Sequence, residues 1–263
     1  MFLGNMVTEA IPARVYSLYR IAISKKDITK TEVQKQMEPE GIYEGISYFS
    51  TILKAATELK LVEIQDNIVV PLVSKDQIKS MDDFKMYAIS KMASFEGEQF
   101  YKFTNVVVNM NEKVYKFSSL SDLEMLNIVS LQVGQQITAP MARGWRFWAQ
   151  FLGFGYMNNM SFLPNAYIFV KNVLRLMEFE KLTEYQIDEF MIRFSQYGKI
   201  LSSNLQPERN MNIALSSALR ELHDNGEIVL KYGSDAENRW ILYPSNESFN
   251  EQVSSIVYKG VKK

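Results

Sequence analysis

Residues 210–244, NMNIALSSALRELHDNGEIVLKYGSDAENRWILYP, decide how this chain reads. Apolar Met211, Leu215, Ala218, Leu219 and Leu222 recur at steps of three and four, which is one face of an α-helix. The opposite side carries Asn212, Ser216 and Arg220, four residues apart. Asp224-Asn225-Gly226 breaks the helix. Glu227–Tyr232 and Arg239–Tyr243 then read as strands joined by the turn-rich Gly233–Asn238. A helix feeding directly into a β-hairpin is the outline of a winged-helix module, and it recurs upstream.

The N-terminal copy is the fuller one. Ile11, Val15, Leu18, Tyr19 and Ala22 mark a first helix, and Thr29-Lys30-Thr31-Glu32 is a capping-box pattern opening a second that stops before Pro39. Ile46, Phe49, Leu53, Ala56 and Leu59 trace the inner stripe of a third. Leu61–Ile64 and Ile68–Val70 flank the turn Gln65-Asp66-Asn67, giving the order helix, helix, helix, hairpin. Residues 74–119 change pattern and read as a helical connector and a candidate oligomerisation surface. A third, middle module has helical Leu120–Val133 and Arg143–Leu152. A short hairpin over Gly153–Pro164 and a closing helix over Ala166–Phe179 complete it. In the last module Thr183-Glu184-Tyr185-Gln186 reads as a second capping box. The helix it opens is ended by Tyr197-Gly198, and a short helix follows over Lys199–Leu205.

The fold class expected is mainly α with small β-hairpins, arranged as tandem winged helix-turn-helix modules. The expected divisions are 1–73 winged helix, 74–119 connector, 120–180 winged-helix-like module, 181–244 winged helix and 245–263 polar C-terminal tail.

Composition bounds the function. A chain of 263 residues that is 47% hydrophobic and 13% aromatic has ample material for a packed core. It carries 29 basic and 30 acidic residues, a net charge of -1, so any nucleic-acid contact needs a local basic face. Without cysteine there is no disulfide, thiolate nucleophile or Cys-ligated zinc. No apolar run approaches the ~20 residues that span a bilayer, and the opening Met1-Phe2-Leu3-Gly4-Asn5 has no secretory pattern. The expectation is a cytoplasmic protein.

Three polar stripes are the candidate DNA-binding residues: Ser47, Ser50, Thr51 and Lys54; Arg143, Arg146 and Gln150; and Asn212, Ser216 and Arg220. In a winged helix the third helix enters the major groove, where Arg reads guanine and Asn or Gln reads adenine. Every surface helix also has a polar face, and the turn regions Gln65-Asp66-Asn67 and Ser234-Asp235-Ala236-Glu237 carry acids that would repel phosphate. The stripes therefore read equally as protein-binding surfaces. Trp145, Phe147, Trp148, Phe151, Phe154 and Tyr156 are aromatic enough for base stacking, but their helical spacing favours core packing. His223, the single histidine, ends a helix with no nucleophile beside it. Gly153-Phe154-Gly155 lacks the third glycine of a nucleotide loop, no Walker pattern occurs, and Asp82-Asp83 read as solvated charges.

Ala142-Arg143-Gly144-Trp145 through Phe147-Trp148-Ala149-Gln150-Phe151-Leu152-Gly153-Phe154-Gly155, followed by Phe162-Leu163-Pro164-Asn165, resembles a segment of the DpdG family. So does the opening, where Ala10-Ile11-Pro12-Ala13-Arg14 precedes a Tyr- and Leu-rich helix. That resemblance implies a place in bacterial defence clusters that install 7-deazaguanine bases in DNA and restrict unmodified DNA. The expectation is a non-catalytic tandem winged-helix DNA-binding or adaptor subunit, with no cofactor and no metal. Expected partners are double-stranded DNA, other proteins of a defence complex and a further copy of itself, with no membrane. The rival readings are a protein-interaction scaffold without DNA binding and a dimeric transcription regulator.

Overall fold

The structure, a computed structural model, describes residues 1–42, 45–205, 208–234, 238–245, 249 and 252–261. Local signals set its first part. Pro12 sits in the first turn of α1 (Pro12–Ala22), where a missing N–H leaves no hydrogen bond unmade. The Thr29 hydroxyl accepts from Glu32 N at 3.2 Å and the Glu32 carboxylate accepts from Thr29 N at 2.9 Å, so the capping box opens α2 (Lys30–Met37).

Hydrogen bonds from Lys25 first, then Thr29, hold the Glu32 carboxyl at about 2, below its ordinary 4.5. A depressed pKa means the cap contributes above about pH 4.5 and is lost as pH falls towards 2. Acidification through that window is expected to fray the first turn of α2 ahead of the global transition. Hydrogen exchange at the Thr29–Glu32 amides would show it; protection unchanged near pH 2 would contradict it.

α3 (Phe49–Glu58) begins three residues later than Ile46. Ile46, expected in the inner stripe, lies before the helix and is 79% exposed. The Glu38 carboxylate accepts from Tyr48 N at 2.7 Å and Phe49 N at 3.0 Å, satisfying first-turn donors and fixing the start there. β1 (Val62–Gln65) and β2 (Ile68–Pro71) then form an antiparallel hairpin. Asp66 and Asn67 turn it with φ of 46° and 66°, the pair of left-handed residues that a two-residue hairpin turn requires.

Helices α4 (Met81–Lys91) and α5 (Gln99–Asn109) follow, each leading into a 3₁₀ turn, the second spanning Asn111–Lys116. α6 (Leu123–Val133), α7 (Ala139–Leu152), the hairpin β3 (Gly155–Asn158) with β4 (Ser161–Pro164), and α8 (Tyr167–Leu176) complete the middle. Trp145 and Trp148 are fully buried, so core packing accounts for them. Residues 1–10 thread between the N-terminal and middle parts. Phe2 packs edge-on against Trp148 at 4.7 Å, and the Trp148 indole N–H donates to Ala10 O at 2.7 Å. Val7 backbone lies 2.7 Å from where a Cβ on Gly144 would stand, so only glycine admits the segment there.

The last third departs from expectation. Thr183–Gln186 is not a helix cap but strand β5, and α9 (Ile187–Ser202) runs straight through Tyr197-Gly198. A Cβ on Gly198 would come within 2.3 Å of the Phe194 ring, so glycine here is a packing requirement rather than a stop. After α10 (Ile213–Asp224), β6 (Ile228–Lys231) does not pair with β7 (Trp240–Ile241). Instead β7 pairs with β8 (Gln252–Val253), and β6 pairs with β9 (Ser255–Tyr258), which lies between β5 and β6. Part of the expected polar tail is thus the centre of a three-stranded sheet, with all four β9 residues buried. The architecture is mainly helical with small antiparallel strand pairs. Among the described residues, no helix is long and apolar enough to cross a membrane.

Candidate nucleic-acid interface

The three stripes meet different fates. On α3, Ser50 and Lys54 are exposed and Thr51 is half-buried, one helix face turned to solvent. Ser47 precedes the helix, exposed, and its hydroxyl donates to Glu38 at 2.6 Å. On α7, Arg143 is exposed. Arg146 is half-buried with its guanidinium 5.0 Å from the Phe147 ring centroid, and the Gln150 side-chain oxygen accepts from Met157 N at 3.2 Å.

The third stripe is internal, which corrects the expectation that Asn212, Ser216 and Arg220 face a ligand. They are 2%, 0% and 3% exposed. Asn212 caps α10, accepting from Leu215 N at 2.9 Å, and its amide donates to Leu201 O and Asn109 Oδ1. Ser216 Oγ accepts from Tyr243 N at 2.8 Å, and Arg220 donates to Tyr243 O at 2.9 Å. Because β7 does not fold back on β6, the chain around Tyr243 runs along the polar side of α10 and covers it. The acidic tip at Asp235 and Glu237 lies outside the described residues.

Around α3 the structure adds what the sequence reading missed. A cleft of about 370 Å³ is lined by Lys30, Ser50, Lys54, Glu58 and Lys60, with half-exposed Leu3 and Ile64 at its margin. None of the three lysines is ion-paired among the described residues. The one carboxylate in the cleft is already engaged: Glu58, 8% exposed, accepts from the Met1 ammonium at 2.8 Å and Phe2 N at 2.7 Å. Burial pulls the Met1 amine below its ordinary pKa, against the upward effect of Glu58. Three lysines and one already paired carboxylate therefore line the cleft, on a chain whose net charge is -1.

Two local signals could have revealed it. Lys30 is the first residue of α2, where the helix dipole disfavours a cation. Lys60 follows α3 with φ 57°, a left-handed conformation in which a lysine is uncommon. Elsewhere, the His223 ring accepts from Leu230 N at 3.2 Å and lies against Phe249. No group of three or more acidic or histidine side chains converges as a metal site among the described residues.

A family model described as DpdG-like matches residues 1–236. The chain belongs to the DpdG-like family. Comparison with curated proteins gave no match, and neither did comparison with solved structures. The match to this DpdG-like chain spans α3, its cleft and the α7 stripe, and ends before β7.

Proposed function

We propose that this DpdG-like chain serves a 7-deazaguanine DNA modification system, the role that the family suggests, and that it does so as a non-catalytic subunit whose N-terminal part engages duplex DNA through α3. The observation that carries the reading is the lysine cleft: Lys30, Lys54 and Lys60 around an exposed Ser50, with the one carboxylate among its lining residues paired with the chain's own ammonium. Phosphate oxygens need such uncompensated cations, and a small hydroxyl lets a helix approach the backbone closely.

A winged-helix assignment for residues 1–73 rests on the helix–helix–helix–hairpin order. It is reinforced by the segment before α2, which bonds to the hairpin through Val69 N to Ile28 O at 2.9 Å and Lys30 N to Asn67 O at 2.8 Å. The helix-then-hairpin order of α7, β3 and β4 supports a second such unit over residues 120–180, with Arg143 as its exposed cation. Burial of Asn212, Ser216 and Arg220 supports leaving the α10 stripe out of the DNA-contacting set. In this reading residues 181–244 serve as a structural end.

The test is a triple neutralisation, Lys30→Gln, Lys54→Gln and Lys60→Gln, all at exposed or half-buried positions. Loss of three phosphate contacts is expected to weaken duplex binding at low salt roughly 100-fold and to flatten the log–log salt slope by about 2–3. Arg143→Gln alone is expected to cost less, with a slope change of about 1. Unchanged circular dichroism and unchanged DNA retention in the triple variant would overturn the DNA reading and leave the adaptor reading. The adaptor reading has its own observation in the exposed Leu123 and Leu131 of α6.

A further inference from the structure

The lysine cleft has a shape that phosphate contact alone does not need. Four separate pieces of chain line it: Leu3 of the N-terminal segment, Lys30 at the start of α2, one face of α3 through Ser50, Lys54 and Thr57, and Ile64 of β1. A helix that reads a major groove is the convex partner of a concave one. Here the outer face of α3 instead walls a hollow of about 370 Å³, within the ~300–1,000 Å³ of small-molecule sites. Such a hollow receives a projecting group.

Its lining is chemically divided. The cations are Lys30, Lys54 and Lys60. Lys54 Nζ lies 3.7 Å from where a Cβ on Gly4 would stand, and close enough to the Met1 ammonium to oppose its charge. Leu3 and Ile64 are aliphatic and half-exposed. Glu63, the acid next to Ile64, projects to the opposite face of β1, where the Gln65 amide donates to it. On the α3 wall stand two hydroxyls, Ser50 and Thr57. The Thr57 hydroxyl donates to Leu53 O at 3.0 Å, which leaves its oxygen able to accept. Cations, flat-packing aliphatic groups and small hydroxyls suit the three parts of a nucleotide: its phosphate, its base faces and its base edge.

We propose that the cleft receives one nucleotide of the bound DNA, turned out of the base stack, with its phosphate held by the lysines and its base against Leu3 and Ile64. This rests on the DNA reading above and adds which part of the DNA enters the cleft. A base taken out of the stack packs against apolar side chains and is read along its edge by hydrogen bonds. Unstacking costs least where the nucleotide is mispaired, so the cleft selects such positions.

The test compares a fully paired duplex with the same duplex carrying one mismatch, both at low salt. The mismatched duplex is expected to bind roughly 10-fold more tightly. A 2-aminopurine at the mismatch is expected to brighten several-fold on binding, because aliphatic neighbours do not quench it as stacked bases do. Leu3→Ser with Ile64→Ser is expected to bring the mismatched duplex down to the affinity of the paired one, whereas the triple lysine variant weakens both. The emission is read on the unchanged chain, so it decides whether or not the double variant folds. Equal affinity for the two duplexes with unchanged emission would overturn the proposal and leave the DNA reading standing. Retention of neither duplex would overturn both. A deoxynucleoside monophosphate that displaced the mismatched duplex at matching concentration would also overturn the proposal, since the ligand would then be the free nucleotide.

Discussion

A chain ended after Pro244 is expected to lose cooperative folding of its last third, even though it retains the whole of residues 1–236 that carry the family match. Strand β9 is the middle strand of its sheet and pairs over four residues with β5 on one side and β6 on the other. Its removal leaves both neighbours without a hydrogen-bond partner and breaks flanking links, including Ile187 N to Ser254 O at 2.9 Å. The Glu184 carboxylate, held below its ordinary pKa by hydrogen bonds from Lys231 and then Ser255, loses the second donor. Val253, Ile256, Val257 and Tyr258 are all buried, and Tyr258 stands against Phe179 at 5.5 Å. At about 1.5–3 kcal/mol for each such side chain, the lost burial rivals the 5–15 kcal/mol that separates folded from unfolded domains. The truncated chain is expected to bind a hydrophobic dye and to be cut by protease within residues 183–244, while residues 1–164 stay protected. The full melting temperature in the truncated chain would contradict this.

That outcome also shows where sequence reading stops. The N-terminal part was legible because each of its signals is short-range: a capping box of four residues, a two-residue turn, and a helix stripe of ten. Each is decided by neighbours along the chain, and α1, α2 and the β1–β2 hairpin follow them. The sheet of β5, β9 and β6 is decided by residues 183, 228 and 258 meeting across the fold, and nothing local distinguishes β9 from β7 as the partner of β6. Thr183-Glu184-Tyr185-Gln186 fits a capping box and a strand alike; it becomes a strand because β9 pairs with it. Asn212, Ser216 and Arg220 fail for a related reason. Polarity on one helix face marks solvent only when no backbone covers it, and there the chain at Tyr243 supplies hydrogen bonds in place of water. The lysine cleft lies between these cases. Lys54 was visible on its helix face, whereas Lys30 and Lys60 join it only through the packing of α2 and the hairpin beside α3.

The second large effect is expected at Trp148→Ala, which should lower the free energy of unfolding by about 4 kcal/mol. Trp148 is fully buried on α7 and touches three aromatic rings: Phe2 at 4.7 Å, Phe151 at 5.8 Å and Phe84 at 6.0 Å. Alanine removes that contact surface and leaves a cavity, and it also leaves Ala10 O without its indole donor, a further cost of about 1 kcal/mol. Trp148→Phe keeps most of the ring and loses the hydrogen bond, so about 1–2 kcal/mol is expected from it. Urea midpoints at constant slope measure both, and equal losses in the two variants would contradict the account. The consequence reaches the cleft on α3, because Phe2 adjoins the residue whose ammonium neutralises Glu58. In Trp148→Ala at native temperature residues 1–10 are expected to loosen, leaving Glu58 as a free negative charge among Lys30, Lys54 and Lys60. Duplex binding should then weaken several-fold, and Glu58→Gln added to Trp148→Ala should restore part of it.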